Sequence, residues 1–326
     1  MTSRQIMTVT GPVSGEDLGK VYMHEHFGWG FPGWEIFSQL ERFRFDRQRF
    51  IDEAVKFMTE LKALGVKTVV EATPSDSGRD PLMYREIAEC AEMNIICLSA
   101  FFKESMGGVA HIKFRMGSGS AEEELYELFC HELQYGIGDT GVKPGLLKIA
   151  TDTTPISACE MTLIRAVARA AKDNDVSVIT HVDSGQHGPE QARLLLELGM
   201  DPKRVMIGHL NNVTDYMELA KIYRQGVYGG FDRWGLIESC PTWFSGPEED
   251  QYAVLCSVLG AGFGKQVLFS HDCDLWLRGF STPGEIHNPW LHIPEVVLPA
   301  LRARGITQEQ IDDIMINNPR EFLCGN

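Results

Sequence analysis

The stretch IDEAVKFMTELKALGVKTVVE, residues 51–71, decides the fold class. Ile51, Ala54, Val55, Met58, Leu61 and Leu64 recur at helical spacing, so Ile51–Leu64 predicts an amphipathic helix with one apolar face. Gly65 follows where a left-handed residue ends a helix. The pattern then switches to a short β-branched run, Lys67–Glu71, which reads as a strand. A helix feeding straight into an apolar strand is part of a βαβ unit, and that unit requires a parallel sheet.

The same unit recurs on both sides. Buried strands are predicted at Lys20–Met23, Asn94–Leu98, Leu146–Ala150, Val176–Thr180, Val205–Gly208, Gly226–Gly230 and Val267–Ser270. With Lys67–Glu71 they make eight, each followed by room for a helix. Ser157 with Glu160 and Thr307 with Gln310 have capping-box spacing, and Gly199, Gly226 and Gly305 stand where helices should end. Strict alternation implies right-handed parallel crossovers, and eight repeats imply a closed (β/α)8 TIM barrel occupying residues 1–326 as a single domain. No G-x-G-x-x-G follows the first strand, which counts against an open dinucleotide-binding sheet. Three connections, Phe102–Ala121, Gly235–Glu249 and Asp272–Pro294, are long, and such loops in a compact domain are lids, binding walls or disordered segments.

Composition narrows the partners. Thirty basic against 45 acidic residues give a net charge of −15, the wrong sign for a nucleic-acid or anionic-membrane surface. The N-terminus has no apolar signal region, and no apolar run approaches the roughly 20 residues of a membrane helix. The eight cysteines, Cys90, Cys97, Cys130, Cys159, Cys240, Cys256, Cys273 and Cys324, form no C-x-x-C pair. They read as reduced thiols, and a cytoplasmic location is expected.

The chemistry lies at the strand ends. The first strand runs into His24-Glu25-His26, the fourth carries Lys148, the fifth ends in His181, the sixth in His209 and the eighth in His271-Asp272. In a barrel these positions converge on the C-terminal mouth, where such folds place their active sites. His24 and His26, two apart on an extended segment, face the same side. Any one of these histidines alone is more often a hydrogen-bonded core residue. Four histidines and an aspartate, each closing a parallel strand, have no packing rationale and match a metal site. Lys148 lies in the apolar run LLKIA, where a bare ammonium is costly to bury. It could snorkel to the rim, or it could react with carbon dioxide to give a carbamate that bridges two metals. Asp232 and His271 could orient ligands or simply hold structure. Trp29, Phe31 and Trp34 after the first strand, and Leu275, Trp276, Leu277, Phe280 and Trp290 after the eighth, could pack against the barrel or wall an apolar pocket. His111, His131, His187, His287 and His292 fit no ligand pattern.

Several stretches resemble the phosphotriesterase family of the amidohydrolase superfamily. They are MHEH at Met23–His26, LLKIATD at Leu146–Asp152, ITH at Ile179–His181, IGHL at Ile207–Leu210, FSHD at Phe269–Asp272 and NNPREFL at Asn317–Leu323. They run in family order over nearly the whole chain. GGFDRWG, Gly229–Gly235, resembles the phosphotriesterase-like lactonase branch. This resemblance implies a hydrolase of lactones such as N-acyl homoserine lactones, with promiscuous organophosphate hydrolysis; the alternative is a phosphotriesterase or another carboxylic ester hydrolase. It implies two divalent metals, zinc foremost, with manganese, cobalt or iron as alternatives. His24, His26 and Asp272 would hold the buried metal and His181 and His209 the more exposed one, bridged by carboxylated Lys148 and a hydroxide. Asp272 would also move the proton, and Arg233, Trp234, Phe101 and Trp276 would contact substrate. A homodimer is expected. One departure stands out: the lactonase branch has a tyrosine after the third strand, and here the stretch reads Leu98-Ser99-Ala100-Phe101-Phe102.

Overall fold

The computed structural model describes residues 4–183, 187–236, 247–281 and 287–325. A two-stranded antiparallel hairpin, β1 (Gln5–Thr8) and β2 (Gly11–Ser14), comes first. Nine parallel strands then form one sheet: β3 (Lys20–Trp29), β4 (Val66–Glu71), β5 (Asn94–Ser99), β6 (Leu146–Thr151), β7 (Val178–Val182), β8 (Val205–Ile207), β9 (Tyr228–Phe231), β10 (Val267–Phe269) and β11 (Asp274–Leu277). The order is β10-β9-β8-β7-β6-β5-β4-β3-β11. The chain leaving β10 crosses to the first barrel strand: Asp272 N–H donates to His24 O at 2.9 Å and His26 N–H to Cys273 O at 3.1 Å. With β11 pairing alongside β3, these bonds join the last strand to the first, and the sheet closes as a (β/α)8 barrel.

Local chemistry explains the elements. The helix Arg47–Ala63 starts on an Asp46 side-chain cap and buries Ile51, Ala54, Met58 and Leu61. Gly65 then takes φ 84°, which a β-carbon would strain. Both capping boxes form, Ser157 with Glu160 and Thr307 with Gln310. Two apolar layers result. The outer one lies between strands and helices and includes Phe50, Met58, Val69, Ile95, Leu147 and Val167. The inner one fills the barrel with Val21, Met23, Val70, Ile96, Leu98, Leu146, Ile179, Met206, Tyr228 and Leu268. Alternate strand residues share a face. Two residues beyond Leu146 and Ile179 the inward positions are therefore Lys148 and His181, and the barrel interior turns polar towards its C-terminal end.

Four details differ from the sequence expectation. β3 runs on to Trp29, so His24 and His26 sit within a strand, at a register irregularity between Tyr22 and Glu25. β7 starts at Val178, later than expected, and includes His181. β11 and the hairpin were not expected: β11 is hidden inside an aromatic loop, and Gly11 and Pro12 mask the strand pattern of β2. The connection Phe102–Ala121 contains a helix, Ala110–Met116. Much of Gly235–Glu249 lies outside the described residues.

Candidate metal centre and active site

Six side chains meet at the C-terminal mouth. His24 Nε2 and His26 Nε2 lie 3.2 and 3.1 Å from the same oxygen, Asp272 Oδ1. Lys148 Nζ is 2.9 Å from His24 Nε2 and donates to Ala72 O at 3.1 Å. His209 Nε2 faces His181 Nδ1 at 2.8 Å.

Their outward nitrogens are all held by oxygen. Asp232 takes two of them, His24 Nδ1 at its Oδ2 and His209 Nδ1 at its Oδ1, both at 3.1 Å. His26 Nδ1 meets Thr73 Oγ1 at 2.8 Å, and Thr73 donates its hydroxyl proton to Glu71 Oε1 at 2.5 Å, so Thr73 can only accept from the ring. His181 Nε2 meets Asp183 Oδ1 at 2.7 Å, and Lys103 Nζ donates to the other oxygen of Asp183 at 2.7 Å.

These partners fix the tautomers, because a neutral imidazole carries one proton and an oxygen acceptor claims it. Each ring then turns a lone pair inward. Burial lowers the pKa of His24, His26 and His209 to about 4 and that of His181 well below its usual value, so all four rings are neutral at pH 7. The consequence is two groups of facing acceptors. His24 Nε2 and His26 Nε2 face Asp272 Oδ1, where Lys148 Nζ, 2.9 Å from His24 Nε2, is the neighbouring donor, while His209 Nε2 faces His181 Nδ1 with no proton to share. A cation in each position would make such contacts favourable, and the donor set could hold a divalent metal in both. His24, His209 and Asp232 are also close enough to hold an ion. There, however, an ion would displace the two N–H donors that Asp232 already accepts, so Asp232 is better read as a shared brace.

Burial would raise the Asp272 pKa, but His209, His24 and Arg233 overcome this and hold the carboxylate well below its usual range. For Lys148, burial lowers the ammonium pKa to about 8, so a minority of the amine is free near neutral pH, far more than for an ordinary lysine. His209 and Asp272 adopt left-handed backbone, φ 63° and 54°. Such strain costs about 1–3 kcal/mol per residue and gathers at functional sites. Asp232 fits because its neighbours are glycines. A β-carbon on Gly230 would come 2.9 Å from Asp232 Oδ2, and one on Gly208 would collide with Thr180 O.

A pocket of about 700 Å³, counting its open mouth, sits over this centre. His26, Lys148, His181 and Asp272 form its floor, Trp29, Phe31, Phe102, Leu236 and Leu277 its apolar walls, and Arg233 and Asp274 its charged groups. Three substrate-contact expectations need correction. Trp234 is fully buried and stacks on Tyr252 and Phe231, behind the barrel wall. Trp276 packs edge-on against Phe45 and Phe50, leaving its neighbour Leu277 on the pocket. Phe101 turns to Phe129, and Phe102 lines the pocket, 4.6 Å from the Trp29 ring and 5.8 Å from His181. In each case the adjacent residue on the chain points the other way. Arg233 does line the pocket. It is not poised at a rim, however: it is buried and donates Nε–H to Asp272 Oδ2 at 2.7 Å. Glu238, a possible ion-pair partner for it, lies outside the described residues.

Sequence reasoning missed the braces Thr73, Glu71, Asp183 and Lys103. It also missed Glu25, which is fully buried between His24 and His26 in sequence. Glu25 Oε1 accepts from Ser270 Oγ, His271 N and His271 Nδ1 at 2.6–2.9 Å, tying the first barrel strand to the last. His271 is therefore a structural clamp in this geometry. The only sequence sign of it was a carboxylate in the middle of an apolar strand.

A parallel barrel with imidazole, carboxylate and lysine groups converging at its C-terminal mouth defines a class: barrel hydrolases that work on small molecules at a polar floor beneath an apolar pocket. The chain belongs to the phosphotriesterase family, whose profile matches residues 4–323. It is 30% identical to the phosphotriesterase homology protein of Mycobacterium tuberculosis over 98% of this chain and 97% of that one. It is 28% identical to an aryldialkylphosphatase of Saccharolobus solfataricus, covering 95% and 96% of the two chains. A mutant phosphotriesterase-like lactonase from Deinococcus radiodurans superposes with a TM-score of 0.92 at 36% identity, covering 98% and 99%. Fold, site and family make the chain an enzyme of the hydrolase class.

Proposed function

We propose that this enzyme is a binuclear metal-dependent hydrolase of lactones with an apolar tail, N-acyl homoserine lactones among them, with organophosphate triesters as weaker substrates. The observation that carries this reading is the pairing of inward lone pairs. His24, His26 and Asp272 would hold one ion and His181 and His209 the other, zinc first, with manganese, cobalt or iron able to replace it. Lys148 would join the two as a carbamate: the ammonium first gives up a proton, the free amine nitrogen then bonds the carbon of carbon dioxide and releases a second, and a buried anion replaces a buried cation. When bound, the metal pair supplies a nucleophile from water near neutral pH and polarises the substrate oxygen.

The chain's own residues do the rest. Asp272 Oδ2 is pinned by Arg233, which fixes the carboxylate plane and leaves Oδ1 towards the floor. From there Asp272 takes the proton of the attacking water and returns it to the departing alkoxide. Trp29, Phe31, Phe102, Leu236 and Leu277 exclude water and hold the acyl tail. Arg233 acts on substrate through Asp272 as well as from the pocket wall. The tyrosine of the lactonase branch is replaced here by aromatic surface without a hydroxyl, so orientation of the lactone ring falls to Arg233 and the floor.

Residues 1–326 would act as one barrel unit, in a homodimer. No described helix is long and apolar enough to cross a membrane. None of the seven described cysteines is in a disulfide, which suits a reducing compartment such as the cytoplasm. The test is a substrate panel on metal-loaded protein: N-acyl homoserine lactones, δ-lactones and aryl phosphotriesters, with metal content measured in parallel. About two equivalents of metal per chain and the highest kcat/KM on a lactone support the reading. A phosphotriester as best substrate moves the assignment to the alternative, and metal-free protein that remains active overturns it.

A further inference from the structure

The apolar pocket contains one charge that its floor does not use. Arg233 is engaged with Asp272. Asp274, two residues beyond Asp272 at the start of β11, also lines the pocket and is exposed to it. Its register partner on β3 is His26, so it stands beside the floor and not at the far end of the tail-binding wall. Among the described residues its carboxylate accepts from no other side chain and forms no ion pair. Apart from its own backbone N–H, this carboxylate has acceptor capacity left over, and one that faces apolar walls is a recognition element for a donor.

We propose that Asp274 is a specificity-determining residue that accepts a hydrogen bond from an N–H group next to the scissile carbonyl, as in the acylamino group of an N-acylated lactone. This deepens the lactonase reading and rests on it. The logic is differential. A substrate with an N–H at that position satisfies the carboxylate, whereas one with only CH₂ there desolvates Asp274 without compensation. The phosphoryl oxygens of an organophosphate, being acceptors, meet a negative charge, which makes such compounds poor substrates. A charge-assisted bond of this kind is worth about ten- to a hundredfold in selectivity.

The experiment compares two matched lactones, an N-acyl homoserine lactone and a γ-lactone of equal chain length with carbon in place of the nitrogen. Both are assayed on metal-loaded wild type, Asp274→Asn and Asp274→Leu. The expected wild-type ratio of kcat/KM, N–H over CH₂, is at least tenfold. It should fall several-fold in Asp274→Asn, which keeps an acceptor but loses the charge, and approach one in Asp274→Leu. Metal content and melting temperature control for folding. A ratio in Asp274→Leu within twofold of wild type overturns the proposal and leaves the lactonase reading intact. If wild type hydrolyses neither lactone, the lactonase reading fails instead. The same pair is then titrated as ligands by the fluorescence of Trp29 and its neighbours. A binding preference for the N–H compound that Asp274→Leu removes still supports the proposal, and equal binding overturns it. An ammonium analogue that binds tighter than the amide also overturns it, in favour of a cation site.

Discussion

The outer braces of the centre are of two kinds. His24 and His209 share Asp232, which is 0% exposed, wedged against Gly208 and Gly230 and held well below its usual pKa because the two imidazoles outweigh its burial. His181 depends on Asp183, whose side chain is 42% exposed and which is itself steadied by Lys103. One brace is locked by packing, the other by an ion pair open to solvent. A ligand fixed by packing cannot relax when its metal leaves, whereas one fixed by a solvated pair can. Since His181 is the ligand with the solvent-exposed brace, the contrast predicts a tightly held ion at His24, His26 and Asp272 and a more exchangeable one at His181 and His209.

The largest effect should come from the group that belongs to both halves. Lys148→Ala should remove most activity and most bound metal, with added short carboxylic acids restoring part of each. Full activity in this variant would rule out a bridging carbamate. Next comes Asp232→Ala. Loss of one outer brace lowers metal affinity or activity about 10- to 100-fold. Asp232 serves two rings, so the combined loss should be about 10²- to 10⁴-fold in kcat/KM, with both ions weakened. Equal losses in Asp232→Ala and Asp183→Ala would erase the asymmetry.

A smaller change is expected from Lys103→Met, which leaves Asp183 in place but unsteadied. Affinity for one of two metal equivalents should fall about tenfold, and Lys103→Arg should recover most of it. A loss spread over both equivalents would mean that Lys103 merely supports the fold. The last expectation concerns metal-free protein. His24, His26 and His209 have pKa values lowered to about 4 against an ordinary 6.5, so between these values the unfolded chain binds more protons than the folded one. Stability should therefore be fully present above about pH 6.5 and decline as pH falls towards 4, by at most roughly 1.4 kcal/mol per pH unit per imidazole. Chelator-treated protein followed by urea titration across that range checks this. Metal-loaded protein should be flatter over the same range, because the metals compete with protons for the rings. Equal slopes with and without metal would place the ions elsewhere.

The repeat of helix, glycine and β-branched strand was enough to determine the barrel, because hydrophobic period and turn chemistry are local properties of the chain. Residues at strand ends were likewise enough to nominate His24, His26, Lys148, His181, His209 and Asp272, since parallel strands must bring their C-terminal ends together. Which aromatic residues face the pocket was decided only by tertiary structure. Adjacent residues point to opposite sides, and a one-residue difference, Phe101 against Phe102 in a loop or Trp276 against Leu277 in β11, cannot be read from composition. The braces were invisible for a related reason. Asp183, Thr73 and Lys103 come from different connections, and Asp183 and Thr73 reach the histidines, and Lys103 reaches Asp183, only once the strands are in register. Asp232 and Glu25 could be seen as charges next to ligands, but their direction, one towards two imidazoles and the other towards the closing strand, is set by the packing of Gly208, Gly230 and Ser270 around them.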